Sequence, residues 1–191
     1  MGLTGGIGAG KSEALAALER LGAATLSTDA VVHELYGDPE VRDAVVARWG
    51  PEVAPGGVID RPAVARQAFA SPDERAWLEQ LLWPRVGARV QAWREAQAAD
   101  PPRALIVETP LLFEAGMEKV YDATIAIVAD EAIRARRAAA RGHAAVDERT
   151  ARQLSQEEKA ARADHVVRND RDLAALEREL AGVLEKLDRS P

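Results

Sequence analysis

The stretch GGIGAGKS, Gly5–Ser12, decides how the rest of this chain is read. It fits the pattern G-x-x-x-x-G-K-[ST] without a gap, with Gly5 and Gly10 as the outer glycines and Lys11-Ser12 closing it. Each part has a physical job. Glycines let successive backbone N–H groups converge on phosphate oxygens with no side chain in the way. The lysine is a point charge for β- and γ-phosphates, and the serine offers a hydroxyl to Mg²⁺. A helix that follows aims its positive end at the same anion. The sequence after the motif, KSEALAALERL, is rich in helix formers and sets Leu15, Leu18 and Leu21 near one face. Before the motif stands only Met1-Gly2-Leu3-Thr4, a short strand where an extended one is expected to begin a few residues earlier. The competing reading is an ordinary glycine-rich turn. A dinucleotide fingerprint is excluded, because these glycines offer no G-x-G-x-x-G register.

Bulk properties bound the rest. A chain of 191 residues, 47% hydrophobic and 29% charged, reads as one globular domain with a real core. A net charge of −6 argues against a nucleic-acid partner, whose footprint is usually basic. The absence of cysteine excludes disulfides, thiolate metal sites and thiol catalysis. His33, His143 and His165 make no metal spacing. No signal peptide or apolar run of spanning length is present, so a cytoplasmic protein with no membrane partner is expected. The oligomeric state is not legible.

Along the chain, apolar runs alternate with helical patterns. Ala24–Ser27, Ala104–Glu108, Thr124–Val128 and His165–Arg168 read as strands. Helices are expected to open at Asp38-Pro39, Asp60-Arg61-Pro62 and Ser71-Pro72, with a longer stretch following Pro84 to about Ala99. Gly56-Gly57 marks a turn. Asp130 caps an Arg-rich helix reaching about Arg141, a short helical segment covers Asp147–Gln153, and the closing helix sets Leu173, Leu176, Leu180, Val183, Leu184 and Leu187 on one face. The expected fold class is α/β, a parallel sheet of the P-loop NTPase type with helices on both faces. Ligands in such sheets sit at the carboxyl ends of the strands. The phosphate loop, Asp29 and Glu108 all fall just past strand ends.

Phosphoryl transfer asks the protein for positioning, a metal and positive charge. A carboxylate should also lie near an acceptor hydroxyl. Asp29 is the candidate, against a plain N-cap of the helix Ala30–Tyr36. Glu108 is placed as an acid of the metal-water shell, against an exposed carboxylate beside Thr109-Pro110. Arg134, Arg136, Arg137 and Arg141 crowd one helix, where Arg137 and Arg141 share a face, and Arg149 follows. They form either a cap over the phosphates or a solvated helix face. A GTPase is excluded: no Asp begins D-x-x-G, and the sole asparagine, Asn169, precedes Asp170 rather than Lys.

These motifs, in this order and over nearly the full length, resemble the dephospho-coenzyme A kinase family. Gly2–Ser12 resembles its P-loop, and Thr28-Asp29-Ala30-Val31-Val32-His33 its second-strand motif. Ile59-Asp60-Arg61 through Trp83-Pro84 is similar to its helical insert, and Glu108-Thr109-Pro110-Leu111-Leu112-Phe113-Glu114 to its acid-x-Pro-Leu-Leu-Phe-Glu stretch. Arg137, Arg141, Arg149 and Gln153 match lid positions, and Ala163–Asn169 the last-strand motif. The chain departs from the family where Ser27 stands for an aspartate, Trp83 for a histidine, Leu154-Ser155 for Met-Pro, and Arg171 for a glycine.

The resemblance implies transfer of the ATP γ-phosphoryl group to the ribose 3′-hydroxyl of dephospho-CoA, with Mg²⁺. It implies ATP contacts from Gly6, Gly8, Ala9, Gly10, Lys11, Ser12, Glu13 and Asn169, with Ser12 on the metal and Asn169 towards the adenine. Catalytic roles fall to Lys11, Asp29, Arg137 and Arg141, and acceptor contacts to Asp29, Glu108, Leu111 and Arg149. A single kinase domain is expected, with a core of 1–37, 100–130 and 163–191, a helical acceptor-side insert of 38–99 and a small helical lid of about 131–162. The other readings left open are a nucleoside monophosphate type of small P-loop kinase and a non-catalytic ATP-binding regulator.

Overall fold

The computed structural model describes residues 1–140 and 153–189. The chain divides into two compact units, Met1–Ser27 with Gln97–Pro191, and Thr28–Ala96.

The first unit is built on a five-stranded sheet in the order β2-β3-β1-β4-β5. Its strands are β1 (Gly2–Gly5), β2 (Ala24–Ser27), β3 (Leu105–Glu108), β4 (Thr124–Val128) and β5 (His165–Arg168), and every pairing is parallel. The short first strand is the central one. Leu3 faces Glu108 on one side and Ile125 on the other. The chain leaves β1 towards β2 on one flank and returns to β4 on the other. The carboxyl end of β1, where the phosphate loop begins, is therefore a topological switch point.

Helices cover both faces of this sheet. Helix α1 (Lys11–Arg20) and the closing helix, here α8 (Leu173–Asp188), lie on one face. There Leu3, Ile106, Ile125, Ile127 and Val167 join Ala14, Ala17 and Leu18 of α1 and Leu176, Leu180, Val183 and Leu184 of α8 in one core. Side chains alternate along a strand, so Thr4 points to the other face. It meets Lys159 of helix α7 (Gln156–Arg162) there. The closing helix departs from its sequence pattern at its first residue: Leu173 is 50% exposed. It is the first residue of the helix, directly after the Asp172 cap. Helix α6 (Glu131–Ala140) is capped as expected, with Asp130 accepting from the Ala132 N–H at 2.9 Å. The segment Asp147–Gln153 lies, but for Gln153, outside the described residues.

The second unit is helical: α2 (Thr28–Leu35), α3 (Pro39–Trp49), α4 (Arg61–Ala68) and α5 (Pro72–Ala96), with short turns at Pro51–Val53 and Pro55–Gly57. The expected break at Pro84 is corrected. Helix α5 is a single helix of 25 residues with Pro84 inside it. Proline removes one backbone donor and crowds the preceding turn. In the same turn the Arg85 guanidinium adds a side-chain hydrogen bond, donating to the Leu81 carbonyl at 2.9 Å. Packing against α2 and α4 holds the two halves together. Trp49 of α3 and Trp77 of α5 meet edge to face at 5.0 Å, and Glu74 accepts from Arg48 and from the Trp49 indole. Trp83 is 56% exposed.

Candidate active site

The phosphate loop runs from the end of β1 into α1. Gly8 and Gly10 have φ of 76° and 96°, a region in which a side chain is strained. A Cβ at Gly8 would overlap the backbone of Arg134, and one at Gly10 would overlap the Asn169 amide. These glycines therefore serve the loop twice: they allow its curl, and they let two other segments press on it. The Asn169 Nδ2 donates to the Ala9 carbonyl at 2.9 Å, and the Arg134 Nε donates to the Ile7 carbonyl at 3.1 Å. The Arg137 guanidinium in turn donates to the Asn169 carbonyl at 3.1 Å. Helix α6 and the end of β5 thus brace the loop from outside its own sequence.

Lys11 folds back so that its Nζ donates to the Gly5 carbonyl at 3.0 Å, closing the ends of the loop on each other. The same ammonium lies 3.9 Å from Glu108 Oε1. Glu108 ends β3 and is 5% exposed, which removes the surface-carboxylate reading. Its other oxygen, Oε2, accepts from the Ser27 hydroxyl at 2.6 Å. The register explains the meeting: Ser27 and Glu108 are aligned partners across β2 and β3, and Leu3 is aligned with Glu108 across β1. The strand ends thus gather a cation, a carboxylate and a hydroxyl beside the backbone N–H groups of the loop.

The other sequence-derived candidates fall as follows. Gly6 and Ala9 are buried in the loop, where the Ala9 methyl belongs to the core rather than to a ligand surface. Ser12 is exposed in the first turn of α1, and Glu13 follows it. Leu111 lies in the turn after β3, half-buried. Asp29 is exposed in the first turn of α2, within the second unit. It is the second residue of that helix and not its cap, because the helix starts at Thr28, directly after β2. Arg136 is exposed on α6. Arg141 and Arg149 lie outside the described residues.

Sequence reasoning missed the bracing contacts of Arg134 and Asn169, the Ser27–Glu108 hydrogen bond, and Lys159 altogether. Lys159 is fully buried, with its ammonium 2.6 Å from the Pro110 carbonyl and 3.0 Å from Glu114 Oε1. Burial pushes its pKa down, and the hydrogen bond to Glu114 opposes that shift. The one sequence signal was Glu114 itself, an acid closing the apolar run Leu111-Leu112-Phe113.

The donor set fits a nucleotide with Mg²⁺. The loop curls through positive φ at Gly8 and Gly10 and ends at the N-terminus of a ten-residue helix, where backbone N–H groups suit an anion. Among the described residues no group of His, Cys, Asp or Glu could hold a metal alone. The Ser12 hydroxyl, exposed in the first turn of α1, is an oxygen donor of the kind Mg²⁺ takes beside waters and substrate phosphates.

Comparison with known proteins decides the family. The family model described as dephospho-CoA kinase matches residues 1–175. The chain belongs to the dephospho-CoA kinase family. It is 38% identical over 191 residues to the dephospho-CoA kinase of Deinococcus radiodurans, covering 98% of this chain and 92% of that one. It is likewise 38% identical over 196 residues to the dephospho-CoA kinase of Moorella thermoacetica, covering 99% and 92%. A crystal structure of a Thermus thermophilus protein superimposes with a TM-score of 0.80 at 35% identity, covering 97% of this chain and 96% of that one. A dephospho-CoA kinase is an ATP-dependent phosphotransferase, and the sheet with its phosphate loop is the P-loop fold of that family.

Proposed function

We propose that this chain transfers the γ-phosphoryl group of ATP to the ribose 3′-hydroxyl of dephospho-CoA, giving coenzyme A and ADP. The observation that carries the reading is the Lys11–Glu108–Ser27 cluster at the strand ends, set beside a braced phosphate loop. The loop N–H groups from Gly8 to Ser12 hold the phosphates, and Lys11 neutralises charge on the β- and γ-oxygens. Bound Mg²⁺, held by the Ser12 hydroxyl and phosphate oxygens, would spread the negative charge of the transferring group. Glu108 orients water or acceptor at that edge, with Ser27 fixing its carboxylate. Asp29 orients or deprotonates the acceptor hydroxyl. Arg137 and Arg141 supply positive charge from the lid, and Leu111 and Arg149 contact the acceptor. Asn169 braces the loop under the nucleotide and faces the adenine side.

Preorganised charge aimed at the developing transition state usually contributes more to such catalysis than any other single effect. Little covalent work is left to the protein. The division of labour follows the expected core, an insert of 38–99 for the acceptor and a lid of about 131–162. The net charge of −6 favours a small-molecule acceptor over nucleic acid, and the cytoplasm is the expected site of action.

The test is coupled ADP release with ATP and Mg²⁺, using dephospho-CoA, AMP or no acceptor. Release with dephospho-CoA alone, and coenzyme A confirmed by mass, is the expected result. Preference for AMP would mean a nucleoside monophosphate kinase. Binding of ATP with no acceptor-dependent release would mean a regulator.

A further inference from the structure

Lys159 heads the fully buried side chains by volume among the described residues, yet it carries a charge. Taking an ammonium out of water costs several kcal/mol even after relaxation. An apolar side chain of similar length would fill the same space without that cost. The geometry around the nitrogen indicates what the charge is for. Its acceptors are the Pro110 carbonyl at 2.6 Å, Glu114 Oε1 at 3.0 Å and Thr4 Oγ1 at 3.4 Å. The Thr4 hydroxyl itself donates to the Pro110 carbonyl at 3.2 Å.

Each acceptor lies on a segment that carries part of the phosphate site. Thr4 precedes Gly5, whose carbonyl receives Lys11. Pro110 stands two residues past Glu108, on the turn that also bears Leu111. Glu114 closes that turn, and its Oε1 also accepts the Leu154 N–H at 2.8 Å. Helix α7 is held in place by its own capping box at Ser155 and Glu158, and by Gln156 accepting from the Ala129 N–H at 3.1 Å. Lys159 is therefore presented from a fixed helix into the gap between β1 and the turn after β3.

We propose that Lys159, paired with Glu114, is a positioning residue: it ties the turn after Glu108 to the strand entering the phosphate loop and so sets the Lys11–Glu108 separation. The proposal rests on the kinase reading above. Lys159 touches no reacting atom. It acts through the two segments it joins.

The test compares Lys159→Met, Lys159→Arg and the double variant Lys159→Met/Glu114→Gln with the parent. Steady-state kinetics are taken per folded molecule, and backbone hydrogen exchange is followed in peptides spanning 1–12 and 105–115. Lys159→Met is expected to lower kcat about tenfold or more, with KM for ATP changed by less than about threefold. Lys159→Arg, which keeps charge and donors, is expected to stay within about threefold of the parent. The double variant has no unpaired buried charge, so it folds more readily than Lys159→Met. It is nonetheless expected to stay slow and to exchange faster in both peptides.

A double variant with parental kcat and parental exchange would overturn the proposal, since the pair would then be core filling. A parent enzyme without dephospho-CoA-dependent turnover would instead sink the kinase reading. The exchange comparison would still decide whether Lys159 joins the two segments.

Discussion

Gly10→Ala and Asn169→Ala are expected to be strongly coupled, although the residues are distant in sequence. Gly10 has φ 96°, and its missing Cβ is the space taken by the Asn169 amide. Placing alanine there costs about 1–2 kcal/mol of backbone strain in the left-handed region. The new methyl also displaces the amide from the Ala9 carbonyl, breaking a buried 2.9 Å hydrogen bond. Leaving such a pair unsatisfied costs about 1–3 kcal/mol. The single variant should therefore lose about 2–5 kcal/mol. Asn169→Ala alone loses the same hydrogen bond, about 1–3 kcal/mol. In the double variant the amide is already gone, so that loss is counted once. The coupling energy should then be about 1–3 kcal/mol, with the double variant more stable than the sum of singles. Urea unfolding of the four proteins, with slopes checked for constancy, measures it. Additivity within about 0.5 kcal/mol would refute the contact between loop and β5 as the reason for glycine at this position.

Lys11→Ala should lower turnover by roughly 3–4 kcal/mol, as for one lost preorganised donor, and a variant with near-parental turnover in steady-state assays would remove Lys11 from the chemistry. Asp29→Asn should leave ATP binding intact while lowering kcat; an unchanged rate would leave Asp29 as a first-turn helix residue only. Asp164, which accepts from the Thr124 hydroxyl at 2.7 Å and its N–H at 2.8 Å, is held below the ordinary aspartate range chiefly by that hydroxyl bond. Its depressed folded value means its contribution is present above the unfolded value of about 3.9 and is lost as pH falls through the folded one. The stability gap between parent and Asp164→Asn should therefore be flat above about pH 5 and shrink at lower pH, and a gap independent of pH in urea midpoints would refute this.

What could be seen in the sequence was local, and what could not was pairwise. The phosphate loop is legible because its pattern is local, with Gly8 and Gly10 at positive φ that glycine adopts without strain. The strands β3 and β4 are legible because burial on both faces leaves continuous apolar runs, Leu105-Ile106-Val107 and Thr124–Val128. Pro84 misled for the converse reason. The local rule breaks a helix there, but packing along α5 against α2 and α4 outweighs one lost hydrogen bond. Leu173 misled because periodicity assigns one face to the whole helix, whereas its first residue, beside the Asp172 cap, stays half exposed.

The polar architecture of the site was hidden at a deeper level. Nothing in QEEKAAR marks Lys159 as buried, since its stretch is charged throughout and its acceptors come from residues 4, 110 and 114. Asn169 bonds to Ala9 across 160 positions of chain. Such pairs follow from strand order, because β1 and β5 both flank β4 and end at the same edge. Strand order and register together put Ser27 beside Glu108, and the order brings the end of β5 near the loop that leaves β1. The motif tells which phosphate chemistry the chain is built for. The sheet order tells which distant residues hold the motif in shape, and substitutions there should disturb catalysis through the loop they hold.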